Sequence, residues 1–120
     1  QLDMSLSTLL DDLDERGMLD STLVVVMGEF GRTPRINKNA GRDHYPGAGS
    51  VLMAGAGIAR GAVIGATDRN GASPITQPHG PEDIAATIYQ ALGFDHHQTY
   101  FPRLTRPTPI TNGQVIPGLL

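Results

Sequence analysis

The sequence contains no cysteine and no tryptophan, and aromatic residues make up only 5% of its 120 positions. Without cysteine, the chain has no disulfide framework, no thiolate metal cluster and no cysteine nucleophile. It also lacks a run of about 20 apolar residues, so we expect no membrane span. Nine basic residues stand against twelve acidic ones, and the net charge is -3. Because non-specific nucleic-acid binding depends on clustered basic side chains, we expect no nucleic-acid partner.

Two segments carry the spacing of an amphipathic helix. The first covers residues 2–16, where leucines recur three and four positions apart and Gly17 follows as a left-handed stop. The second covers residues 81–92, with Pro81 at the first helical position and two acidic residues in the first turn. Both segments are predicted to bury one apolar face.

Between these helices the sequence predicts a sheet. Residues 22–27 contain five consecutive apolar residues, which is typical of a strand covered on both faces, and residues 50–54 form a second candidate. Residues 61–68 are a candidate for a short edge strand. The order helix, strand, long loop, strand, extended segment, helix predicts an α/β fold with a parallel or mixed sheet flanked by helices. We expect the proline-rich tail to run over the surface and end in an apolar anchor at Val115, Ile116, Leu119 and Leu120.

The loop GEFGRTPRINKNAGRDHYPG, residues 28–47, separates the two main strand candidates and is rich in charge. It has no helical or strand period, and connections of this length inside a compact domain are usually functional or disordered. It leaves the carboxyl end of a buried strand, where open α/β sheets place their ligand sites. The loop is therefore the candidate functional site.

Four residues of this loop carry the candidate chemistry. Glu29 and Arg32 either hold a metal ion or an anionic ligand, or pair with each other and pin the loop. Asp43 and His44 follow later in the loop. Histidine is a common metal ligand and general acid or base, and an adjacent carboxylate can orient its ring. The alternative is that His44 is a structural loop histidine.

Three further histidines lie outside the loop. His79 stands just before the second helix, and we expect it to cap backbone N–H groups there. His96 and His97 follow Asp95. Since neighbours in sequence usually point in different directions, we expect a solvated turn there rather than a metal site.

Several segments of the chain occur in a familiar order: STLVVVMGEFGRTPRIN, GRDHYPGAGSVLMAGAGI, GATD, PEDIAATIYQALGFD and the closing RLTRPTPITNGQVIPGLL. Together they resemble the C-terminal part of the bacterial domain-of-unknown-function family fifteen-oh-one, which is common in planctomycetes and distantly similar to alkaline phosphatases and sulfatases. The loop sequences GEFGRTP and DHYP are the most specific part. The resemblance implies that residues 1–120 are the C-terminal portion of one alkaline-phosphatase-like or sulfatase-like α/β domain, whose upstream part precedes them.

That superfamily hydrolyses phosphate or sulfate monoesters with one or two metal ions, and its nucleophile comes from the upstream region. The resemblance implies a small phosphorylated or sulfated substrate, an exported or periplasmic location, and a divalent metal such as zinc, calcium or manganese. Glu29, Asp43 and His44 are the implied metal ligands. Glu29, Arg32 and His44 are the implied catalytic groups, with the Arg32 guanidinium clamping the anion.

The chain departs from the superfamily at one position. Where the superfamily has Asp-His-Gly after a buried strand, this chain has Glu29-Phe30-Gly31, and a phenylalanine ring does not bind a metal. A second hypothesis follows from this difference: a relative without catalysis that serves as a binding or surface module. In that case Glu29, Arg32 and Asp43 would form a structural ion-pair network.

Overall fold

The computed structural model describes residues 1–100 and 106–120, and only the backbone of Tyr100. Helix α1 is followed by a short 3-10 turn, four strands, helix α2 and two final strands. Their bounds are α1 Leu2–Glu15, the 3-10 turn Leu19–Ser21, β1 Val24–Met27, β2 Gly31–Arg32, β3 His44–Tyr45, β4 Val51–Ala54, α2 Pro81–Ala91, β5 Thr99–Tyr100 and β6 Thr108–Pro109. Strand β1 pairs with β4, β2 with β3, and β5 with β6.

The mixed α/β fold is confirmed. Both helices end within one residue of the prediction, and the two main strands start one or two residues later than predicted. The β2–β3 and β5–β6 pairs are antiparallel, so neither of them supports the parallel sheet. The parallel sheet stays a prediction. Complete burial of β1 is not observed. Its valines are half-buried and Met27 is 48% exposed, since β1 has β4 as its one strand partner in the described part of the chain.

The predicted edge strand at residues 61–68 is wrong. In the part of the chain that the structure describes, this segment makes one isolated bridge, between Thr67 and Pro74. Gly61 and Gly65 have φ angles of 71° and 82°, which interrupt an extended strand. Val63 between them is 90% exposed. The segment is therefore a surface loop.

The chain divides into two compact units. The helical unit comprises Gln1–Val24, Ala54–Ala62 and His79–Leu120, and the hairpin unit comprises Val25–Met53 and Val63–Pro78. All described side chains that are at most 9% exposed belong to the helical unit: Leu13, Ile58, Ala86, Thr87, His96 and Ile116. The hairpin unit is described throughout and has no comparably buried side chain.

The side chain that caps the start of helix α2 is Asp83, and not His79 as predicted. Gly80 is the N-cap, and its backbone N–H donates to the Asp83 carboxylate at 3.0 Å. His79 does not cap the helix; its Nδ1 atom lies 3.7 Å from the same carboxylate. The backbone N–H groups of Gln114 and Gly80, and to a smaller extent His79, lower the pKa of Asp83 below its ordinary value. Asp83 performs the capping because a carboxylate three positions into a helix reaches the N-cap N–H.

The docked tail, residues 111–116, is fastened to α2. The Thr111 hydroxyl donates to the Glu82 carbonyl at 2.9 Å, and the Gln114 N–H donates to the Asp83 carboxylate at 2.8 Å. The Ile116 N–H donates at 3.0 Å to the hydroxyl of Thr87, a fully buried residue. The predicted surface course of the tail is therefore wrong in part: Gly113 is buried, whereas Asn112 and Gln114 are exposed.

The predicted apolar anchor is confirmed in part. Ile116 is 6% exposed, whereas Val115 and Leu119 are half-buried and Leu120 is 48% exposed. The start of the closing segment that carries the family resemblance, residues 103–105, lies outside the described residues.

Candidate functional site

The predicted structureless loop contains a small antiparallel hairpin, β2–β3. Arg32 lies directly opposite His44, and Gly31 opposite Tyr45. Directly opposite residues of an antiparallel pair project to the same face, so the register brings the two candidate side chains together. Gly31 is required here because a Cβ atom at that position would collide with the Ala48 carbonyl. Sequence reasoning missed the hairpin because strands of two residues have no readable period.

Phe30 packs against both candidate side chains. The ring centroids of Phe30 and His44 are 4.0 Å apart, with their planes tilted by 34°. The central guanidinium carbon of Arg32 lies 5.7 Å from the Phe30 centroid, within the range of a cation–π contact. Phe30 is itself 39% exposed, so the three side chains form a cluster at the surface. Phe30 therefore positions the guanidinium of Arg32 and the imidazole of His44.

Hydrogen bonds between its two arms brace the hairpin. The Thr33 N–H donates to the Asp43 carbonyl at 3.0 Å, and the Asp43 N–H donates to the Thr33 hydroxyl at 3.1 Å. Arg42 donates from Nη1 to the carbonyls of Thr33 and Pro34, at 2.7 and 2.6 Å. Arg32 donates from Nη1 to the Arg42 carbonyl at 3.2 Å. Two of the loop arginines thus hold its backbone in place.

The Asp43 carboxylate accepts a hydrogen bond from within the loop. Asn37 donates to it from Nδ2 at 2.8 Å. The side-chain oxygen of Asn37 accepts the backbone N–H groups of Asn39 and Gly41, at 2.9 and 3.0 Å. Asp43 and Asn37 therefore order the tip of the loop, a role that the sequence reading did not assign to either residue.

The alternative of a structural ion-pair network is not observed. In the described ranges, ion pairs within 4.0 Å join Arg16 to Asp12, Arg60 to Asp14 and His79 to Asp83. None involves Glu29, Arg32 or Asp43, and Glu29 is exposed. Arg32 and Arg42 bond to carbonyl oxygens instead, and Arg32 also lies over the Phe30 ring.

The predicted metal ligands do not lie close enough together to hold one metal ion. Across residues 1–100 and 106–120, the group of three His, Asp or Glu side chains with ligand atoms within 4.8 Å of one another is Asp95, His96 and His97. Glu29, Asp43 and His44 do not form such a group, so these three residues do not by themselves fit a resident metal ion. Of the predicted site residues, the structure brings together Arg32 and His44.

Tyr45 fastens the hairpin to the rest of its unit. Its hydroxyl donates to the Ala72 carbonyl at 2.7 Å. A Cβ atom at Gly47 would lie 2.6 Å from the Tyr45 ring, so this glycine leaves space for the ring. The aromatic residue beside His44 is thus a positioning residue. An isolated tyrosine in an otherwise polar loop is the sequence signal that points to it.

The chain was compared with known proteins. A family model described as "Protein of unknown function (DUF1501)" matches residues 1–120. Neither a curated protein nor a solved structure matches the chain. In the described part of the chain, no helix is both long and apolar enough to cross a membrane.

Proposed function

The chain belongs to the DUF1501 family of proteins of unknown function, and from that premise we propose that the β2–β3 hairpin binds the anionic group of a phosphate or sulfate ester. One observation carries the proposal: Arg32 and His44 lie opposite each other with Phe30 packed against both. All three side chains are exposed, so a ligand has access to them.

The chemistry of these groups suits a tetrahedral anion. A guanidinium has five N–H donors, and it can present two of them in parallel to two oxygens of phosphate or sulfate. The hydrogen bond from Arg32 to the Arg42 carbonyl uses one donor, on Nη1. The His44 imidazole adds an N–H donor from the opposite strand. Phe30 limits the motion of both groups, which lowers the entropy cost of ordering them around the anion.

The resemblance to alkaline phosphatases and sulfatases extends the proposal to hydrolysis. In that reaction, Arg32 would orient the ester and His44 would protonate the leaving-group oxygen. Glu29 would accept a proton from the nucleophile, which the resemblance places upstream of these residues. A zinc, calcium or manganese ion at Glu29, Asp43 and His44 would need further ligands. No step is therefore assigned to a metal.

A specific observation favours the second candidate, a relative that binds an anionic ligand without hydrolysis. Phe30 occupies the position where the superfamily has a metal-binding histidine, and the Asp43 carboxylate accepts a hydrogen bond from Asn37. Both features organise the loop: the Phe30 ring supplies no metal ligand, and the bond from Asn37 uses one oxygen of the Asp43 carboxylate. Such a protein would keep the anion site and lack turnover.

Anion binding is measured by titrating inorganic phosphate and sulfate into the 120-residue protein and following its amide resonances. We expect shifts at Gly31, Arg32 and His44, and at least tenfold weaker binding in Arg32→Ala. Arg35→Ala is the matched control, because Arg35 is an exposed arginine of the same loop whose side chain has no hydrogen-bond partner among the described residues. Equal weakening by both substitutions would mean that the net charge of the loop attracts the anion, and the proposed site would be wrong.

Turnover separates the two candidates. Hydrolysis of p-nitrophenyl phosphate and p-nitrophenyl sulfate is measured with zinc, calcium or manganese added, on the protein that includes the upstream region. A rate that falls at least tenfold in both Glu29→Gln and His44→Ala supports the hydrolase. Anion binding that depends on Arg32, without turnover, supports the binding module.

A further inference from the structure

The end of α2 forms a tight cap that determines where the next residues lie. The Gly93 N–H donates to the Gln90 carbonyl at 3.0 Å, and the Phe94 N–H donates to the Tyr89 carbonyl at 2.8 Å. Gly93 has a φ of 79°. These are the two hydrogen bonds and the left-handed residue of a Schellman motif. The cap reverses the chain, so residues 95–97 follow directly beyond the helix end.

Asp95, His96 and His97 converge instead of diverging. One ligand atom from each lies within 4.8 Å of the other two, and the imidazole centroids are 4.0 Å apart. The Asp95 carboxylate accepts the backbone N–H of His97 at 2.9 Å, which folds the three residues into a tight turn. The predicted turn is therefore observed, with Asp95 and His97 exposed, but the expected divergence of the side chains is wrong. The cluster is partly buried: His96 is 8% exposed, whereas Asp95 and His97 are exposed.

His96 has a partner that leaves one ring nitrogen available. Its Nδ1 atom lies 3.3 Å from the Gln90 side-chain oxygen. An amide oxygen only accepts, so this contact is a hydrogen bond in the tautomer that carries the proton on Nδ1, and in that tautomer Nε2 keeps its lone pair. Histidines that bind metals commonly donate their other ring N–H to such an oxygen, which orients the ring. The cluster also follows the C-terminal end of α2, where the helix dipole favours a cation.

We propose that Asp95, His96 and His97 form a zinc-binding site. Two imidazole nitrogens and one carboxylate oxygen are zinc ligands, and three protein ligands leave a fourth position for water or another ligand. A tetrahedral zinc ion with bonds of about 2.1 Å holds its ligand atoms about 3.4 Å apart. Separations of up to 4.8 Å therefore close through small rotations of the exposed Asp95 and His97 side chains. The site shares no residue with the hairpin and is independent of the proposed anion binding.

Calorimetric titration of the 120-residue protein with zinc chloride tests this site. We expect one equivalent to bind, and His97→Ala to weaken binding at least tenfold. Asp95→Asn should weaken it severalfold, because an amide is a poorer zinc ligand than a carboxylate. His79→Ala is the matched control and should bind as the unchanged protein does, because His79 lies in neither proposed site. His97 and Asp95 are exposed, so circular dichroism should show that their variants remain folded.

Nuclear magnetic resonance provides a second measurement. Zinc should shift the imidazole resonances of both His96 and His97, because their ring nitrogens are the proposed ligands. Binding that is unaffected by His97→Ala and Asp95→Asn would overturn the proposal. So would binding that His44→Ala abolishes, or the absence of binding.

Discussion

The hairpin loop, residues 28–47, and the docked tail, residues 111–116, are both irregular segments held by polar side chains. In the hairpin loop, Arg42 and Asn37 bond to neighbouring backbone groups at the surface. In the docked tail, two side chains of α2, Asp83 and Thr87, accept backbone N–H groups. Ile116 is buried as a result. The hairpin loop has many charges, whereas the side chains that fasten the tail are one carboxylate, Asp83, and two hydroxyls, Thr87 and Thr111.

This difference shows that burial decides what a polar contact contributes to stability. Water competes for the exposed groups of the hairpin loop, so each of its hydrogen bonds contributes little net free energy. A buried N–H that loses its partner costs about 1–3 kcal/mol, because no water replaces the lost bond. We therefore expect the helical unit to respond strongly to substitutions at the tail. The hairpin unit should respond weakly to substitutions in its loop.

The largest effect is expected from Gly113→Ala in the docked tail. A Cβ atom there would collide with backbone atoms of Glu82 and Asp83, which cannot move without disturbing the start of α2. The free energy of unfolding should fall by about 3 kcal/mol, as in other overpacked positions. Urea denaturation measures this change. Gly41→Ala in the hairpin loop is the control, because its Cβ would meet the Asn37 side chain at an ordinary 3.6 Å. An equal loss from both substitutions would contradict the comparison.

An intermediate effect is expected from Asp83→Ala. The substitution removes the acceptor of the Gly80 and Gln114 N–H groups, and the free energy of unfolding at pH 7 should fall by about 2 kcal/mol. Asp14→Ala is the control, because Asp14 is an exposed helix residue whose ion pair with Arg60 measures 3.6 Å. A loss from Asp14→Ala as large as that from Asp83→Ala would show that the removed negative charge, and not the cap, matters.

The same carboxylate predicts a dependence on pH. Its folded-state pKa is lowered, mainly by the Gln114 N–H, so ionised Asp83 stabilises the fold above its ordinary pKa of 3.8. That contribution is lost as the pH falls through the lowered folded-state pKa, since the neutral acid binds the N–H groups more weakly. Acid unfolding of Asp83→Asn should therefore show a shallower decline than that of the unchanged protein. Superimposable curves would contradict this assignment.

The smallest effect is expected from Arg42→Ala. Its guanidinium bonds to the Thr33 and Pro34 carbonyls at an exposed position, so the free energy of unfolding should fall by about 1 kcal/mol or less. Hydrogen exchange is the more sensitive measurement. The Thr33 amide, which donates to the Asp43 carbonyl, should exchange faster in Arg42→Ala and not in Arg35→Ala. Unchanged exchange would show that Arg42 does not brace the loop.

The sequence was most informative where structure depends on neighbouring residues. The limits of α2 followed from Pro81 at its start and Gly93 beyond its end, because helix caps are formed within a few residues. The sequence identifies Arg32 and His44 as candidate site residues, but only the hairpin register shows that they lie opposite each other. Their catalytic roles, and the metal-binding roles of Glu29, Asp43 and His44, stay predictions.

The sequence by itself determined the two helices, the order of the main strands, the absence of cysteine chemistry and the loop that carries the candidate residues. Each of these depends on composition or on spacing within one segment. Only the tertiary structure decided that Phe30 organises the basic groups, that Asp83 and Thr87 hold the tail, and that the histidines after α2 converge. Thr87 and Ile116 are 29 positions apart, and no local pattern relates them. When the tail is buried against α2, the Ile116 N–H loses its water partner, and the Thr87 hydroxyl replaces it.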